Sequence, residues 1–100
     1  MNAKDAVEIY KKSAEQMAGK LFKQCLDTIY VKIRTAAETT ESKKGSRDVA
    51  INISTFSASG ETLNILTNNI INHLKNVDEY DVSLIEDDDA FGHTYLMIKW

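Results

Sequence analysis

Glu86, Asp87, Asp88 and Asp89 stand in a row, and His93 follows shortly after. Carboxylates gathered in a loop are ligands for hard cations such as Ca²⁺ or Mg²⁺. Such ions need oxygens at spaced positions, and adjacent aspartates cannot all turn inward. The spacing of an EF-hand loop is not there. The cluster reads as a solvated hairpin tip that keeps a sheet edge soluble. Its functional alternative is a contact patch for a basic protein partner, which would speed association more than it deepens affinity. No metal and no cofactor is expected.

The other chemically capable residues are thinly spread. His73 and His93 have no His-x-x-x-His or cysteine spacing, so neither reads as a zinc ligand. Cys25 lies on an apolar helical stripe and reads as a buried structural thiol; a nucleophile would need a base and an electropositive site. Ser57, Ser59 and Thr62 precede or open a helix, where hydroxyls cap. With Gly60 they could hold an anion, but the full P-loop pattern is missing. Lys43, Lys44 and Arg47 form the best candidate phosphate contact, without an interleaved aromatic platform. The remaining lysines alternate with acids along the first helix and read as a solvated face. Trp100 closes an alternating strand and reads as a core plug. No paired carboxylates, nucleophile elbow or metal set can be named, so no catalytic residue is expected.

These residues sit on a chain of 100 residues, 43% hydrophobic and 27% charged. That composition is ordinary for one globular domain, residues 1–100, and argues against disorder. No apolar run approaches the roughly 20 residues of a membrane span, and no apolar stretch follows the start as in a secretory signal. A lone cysteine forms no internal disulfide, so a cytoplasmic protein is expected. Net charge is −3, unevenly placed. Residues 1–45 carry nine basic and six acidic side chains, whereas residues 78–100 carry one and seven.

Periodicity predicts an α+β order: a long helix, then β-α-β-β, with both helices on one face of a three-stranded sheet. The first helix runs from residue 3 to about 39, with Asn2 as N-cap. Val7, Tyr10, Ala14, Met17 and Leu21 recur at steps of three and four, and Cys25, Ile29 and Ile33 continue the stripe. Gly19 is its one breaker and marks a kink or a split. Residues 48–56 read as a strand with Val49, Ile51 and Ile53 on one face. Leu63, Leu66, Ile70, Leu74 and Val77 form the stripe of a second helix, about 60–76. Tyr80, Val82 and Leu84 alternate in a second strand, and residues 93–100 make the third. Strands two and three form a hairpin, and strand one lies parallel to strand two or is separated from it by strand three.

The first helix is too long for its sheet. About 36 residues span roughly 54 Å, against about 20–27 Å for strands of six to eight. Val7, Tyr10, Ala14, Met17 and Leu21 then have nothing in their own chain to cover them, and a homo-oligomer, most simply a dimer, is expected. Residues 1–21 are the oligomerising extension and residues 22–100 the packed core.

The segments Ile29-Tyr30-Val31-Lys32-Ile33 through Ala36-Ala37-Glu38, then Val49 to Ile53, and Phe91-Gly92 to Trp100 carry a resemblance. Over about residues 22–100 the layout resembles small phage-encoded proteins of unknown function. The resemblance implies this fold and a viral origin, and brings no catalytic residue. The expected function is a non-catalytic protein-binding module, such as a phage accessory protein that modulates or inhibits a host or defence protein. The alternatives are a virion or assembly component and a nucleic-acid-associated dimer using Lys43, Lys44 and Arg47.

Overall fold

The computed structural model describes residues 1–87 and 92–100. Its elements are α1 (Ala3–Ala37), β1 (Asp48–Asn52), a 3₁₀ turn (Ile53–Phe56), α2 (Gly60–Asn76), β2 (Asp81–Glu86) and β3 (Thr94–Lys99). The fold is the expected α+β arrangement. No described helix is long and apolar enough to cross a membrane.

α1 begins with a capping box. The Asn2 side chain accepts from the Asp5 N–H at 2.9 Å, and the Asp5 carboxylate accepts from the Asn2 N–H at 3.4 Å. These bonds satisfy donors that the first turn leaves orphaned. Gly19 does not split the helix, which runs unbroken through it for 35 residues. At the other end, Lys43 Nζ donates to the Thr35 carbonyl at 2.6 Å, and the Ser46 N–H donates to the Ala36 carbonyl at 2.7 Å. The link after α1 thus folds back and satisfies its last carbonyls.

β1 is shorter than its apolar alternation predicts. The Asn52 side chain accepts from the Ser54 N–H, and its carbonyl accepts from the Thr55 hydroxyl. Such local bonds compete with strand pairing. The chain therefore leaves the sheet after Asn52 and turns Phe56 into the core, where it is buried.

The sheet order is β1-β3-β2, all antiparallel neighbours, so β3 separates the two outer strands. Register aligns Val49, Ile98 and Val82 in one row, and Ile51, Leu96 and Leu84 in the next. Both rows share the face that α1 and α2 cover. The core joins Ala18, Cys25, Leu26, Ile29 and Ile33 of α1 to Leu66, Ile70 and Leu74 of α2 and to Ile51, Val82, Leu96 and Ile98 of the sheet.

Two expected core residues lie outside it. Val77 is 65% exposed because it caps α2 beyond the last turn the core covers. Leu84 is 50% exposed on an edge strand with a neighbour on one side only. The packed region also starts earlier than residue 22: Ala14 and Ala18 are buried within their own chain. Residues 1–13 are all exposed. The radius of gyration is 16.0 Å, against about 13 Å for a compact chain of this length. A projecting helical arm accounts for the difference.

Candidate interaction surfaces

The arm is the first candidate. Val7 (49%), Tyr10 (58%) and Met17 (48%) are exposed. Leu21 is half-buried against the core, and Ala14 is buried, so neither extends the open stripe. Tyr10 lies beside Gly60, where α2 begins with φ +57. Ile9 is exposed too, at 56%, which the stripe had not included. The open part of the predicted surface is therefore Val7, Tyr10 and Met17.

The basic turn is mostly occupied by the fold itself. Lys43 serves the carbonyl of Thr35. Arg47 Nε donates to the Trp100 carbonyl at 2.9 Å, while the Trp100 N–H donates to the Arg47 carbonyl at 3.0 Å. These bonds extend the β1–β3 pairing by one position. Lys44 is exposed.

The acidic segment starts inside the sheet. Glu86 is the last residue of β2, and Asp87 donates its N–H to the His93 carbonyl at 2.8 Å. Asp88 and Asp89 lie outside the described residues. Among the described residues no group of three His, Cys, Asp or Glu side chains is placed to hold a metal ion.

A shallow groove between α1 and α2 is lined by Gly19, Phe22, Asn69, Asn72, His73, Asn76 and Val77. Beside it, the Tyr30 hydroxyl donates to the Asp78 carboxylate, whose Oδ2 is 3.6 Å from His73 Nε2. The His73 ring meets Phe22 edge to face, with centroids 5.6 Å apart. Burial raises the Tyr30 pKa above its ordinary value, and the bond to Asp78 adds to the rise. Sequence spacing did not bring these residues together, because Tyr30 and Asp78 are 48 positions apart. An aspartate and a histidine are in place here, but no serine, threonine or cysteine lines the groove as a nucleophile.

Cys25 is buried and donates weakly to the Phe56 carbonyl at 3.6 Å. Burial pushes its thiol pKa up, the opposite of what a reactive thiolate needs. Ser59 occupies the N-cap of α2 without a side-chain capping bond, so its hydroxyl does not play the expected role. Trp100 is half-buried and packs edge to face on Tyr80 at 6.3 Å.

No family model matches the chain, and neither a curated protein nor a solved structure matches it.

Proposed function

We propose that this protein is a non-catalytic interaction module whose α1 arm packs against the arm of a second copy. The observation that carries this reading is the arm itself. Residues 3–13 form a capped helix whose side chains are all exposed, and Val7 (49%), Tyr10 (58%) and Met17 (48%) line one side of α1 at heptad-like steps. Burying side chains of this kind contributes about 1.5–3 kcal/mol each. A second helix laid along the stripe would supply that burial, and an isologous pair is the simplest closed arrangement.

Light scattering over a concentration series tests the reading. A mass of two chains is expected at tens of micromolar, and the double variant Val7→Glu with Tyr10→Glu should return it to one. A wild-type monomer at every concentration would overturn the proposal. The nucleic-acid reading receives less support, because Lys43 and Arg47 are engaged within the fold. The narrower role, a viral accessory protein that modulates a host protein, rests on the resemblance alone.

A further inference from the structure

The open edge of β2 combines three features. In an antiparallel ladder, residues alternate between those bonded to the neighbouring strand and those whose main-chain groups point away. Asp87 donates to the His93 carbonyl, and this pair continues the register Glu86–Thr94 and Ile85–Tyr95. Asp81, Ser83, Ile85 and Asp87 therefore turn their N–H and C=O groups toward β3. Val82, Leu84 and Glu86 turn theirs to the outer edge. The bond from the Trp100 N–H to the Arg47 carbonyl fixes the alternation on the β1 side, and the two agree: Lys99 faces β2 and Ile98 faces β1. No other described strand pairs with this edge.

The side chains along the edge are apolar at its centre. Leu84, 50% exposed, lies on the core face, and Ile85, 42% exposed, lies on the opposite face. Carboxylates stand at both ends: Asp78, Glu79 and Asp81 before the centre, Glu86 and Asp87 after it. Lys99 lies opposite Asp81 on β3 and offsets one of them.

A second copy is a poor occupant. The antiparallel self-pairing that engages Val82, Leu84 and Glu86 together is centred on Leu84, and it sets Asp81 opposite Asp87 of the second copy at each end. Like charges placed directly opposite destabilise a strand pair. We propose instead that β2 takes up, as an added strand, an extended segment of a partner protein that is basic at its ends and apolar at its centre. Main-chain bonds to Val82, Leu84 and Glu86 would supply pairing, as in other cases of strand addition. Two adjacent apolar residues would lie beside Leu84 and Ile85, one on each face, with Lys or Arg beside Asp81 and Glu86. This surface is separate from the α1 arm.

Fluorescence anisotropy with the full chain tests it. The probe is a labelled strand-length peptide with lysines at its ends and valine and isoleucine between them. A second peptide has its central amides N-methylated, and a third has glutamates in place of the lysines. Saturable binding of the first peptide is expected, roughly in the micromolar range. N-methylation and Leu84→Pro should each weaken it about tenfold or more, because both remove edge bonds while sparing the β3 ladder. Leu84→Ala should weaken it less. Glu86→Lys should weaken the lysine peptide and improve the glutamate peptide. Circular dichroism checks that each variant is folded; should Leu84→Pro unfold, the N-methylated peptide carries the test. Absence of saturation overturns the proposal, as does binding indifferent to N-methylation, which is charge adhesion only. A wild-type dimer that Leu84→Pro dissociates would overturn it in favour of a second copy.

Discussion

The Tyr30 hydroxyl donates to the Asp78 carboxylate and so ties the later half of α1 to the turn that leaves α2. The same oxygen lies 3.6 Å from His73 Nε2, so one carboxylate gathers groups from both helices. Glu79, next in the chain, takes a left-handed conformation at φ 64, and the Tyr80 N–H then reaches back to the Leu74 carbonyl at 2.9 Å. The direction in which β2 enters the sheet is set at this turn.

Tyr30→Phe is expected to cost about 1–2 kcal/mol at neutral pH, since it removes a donor to a partly buried carboxylate. The pH dependence follows from the raised pKa of Tyr30. Its ordinary value is 10.0, and the folded value lies above that. The stability it contributes is present below pH 10 and falls as pH rises toward the folded value, because the unfolded tyrosine ionises first. Urea denaturation of both proteins across neutral and alkaline pH checks this. The gap between them should narrow above about pH 10; a gap that stays constant there would refute the assignment.

Thr67 is buried, with 6% exposure, and its hydroxyl has no hydrogen-bond partner among the described residues. Replacing it with valine keeps the shape and removes an unsatisfied polar atom. Thr67→Val should stabilise the fold by about 1 kcal/mol. In a domain of this size that raises the melting temperature by about 4–8 °C. Calorimetry would decide, and a lower melting temperature would show that the hydroxyl is satisfied in solution.

Two glycines should respond in opposite directions. A Cβ at Gly19 meets nothing within 4 Å, so Gly19→Ala should stabilise α1 by about 0.5–1 kcal/mol. A Cβ at Gly45 would collide with the Ala37 carbonyl oxygen and come within 2.8 Å of Thr39 Oγ1. Gly45→Ala should destabilise by about 1–3 kcal/mol and loosen the link that caps the end of α1. Equal effects in chemical denaturation would contradict this geometry.

Asn2→Ala removes one half of the capping box and should cost the first turn about 0.5–2 kcal/mol. The effect should stay in the arm. Amide exchange is expected to quicken over residues 3–13 and to remain unchanged at Leu26, Ile29 and Ile33, which are buried. The proposed dimer should weaken in parallel. Faster exchange throughout the core would mean that the arm and the core unfold as one unit.

The elements were legible in the residues because the signals that define them are local. Asn2 and Asp5 announce the start of α1, and the step from Leu66 to Ile70 to Leu74 marks the buried face of α2. Alternation put Val82 on the apolar side of its strand, and it is buried. The same local rules misread residues 53–56, because periodicity does not weigh the side-chain bonds by which Asn52 ends a strand. They also assigned Val77 and Leu84 to the core, since a pattern names the apolar side of an element and not whether a neighbour reaches it.

Of the candidate surfaces, the acidic and basic runs were visible as residue types, yet their availability was not. Lys43 and Arg47 turn out to serve carbonyls of Thr35 and Trp100, partners met only when the chain closes. The sequence by itself determined which segments are helical or extended, and that α1 outruns its sheet, because rise per residue and apolar spacing are properties of contiguous residues. Only the tertiary structure decided that β3 lies between β1 and β2, that Ala14 is covered while Tyr10 is not, and that Tyr30 meets Asp78. Those outcomes depend on which distant surfaces bury one another, and that competition is resolved across the whole chain at once.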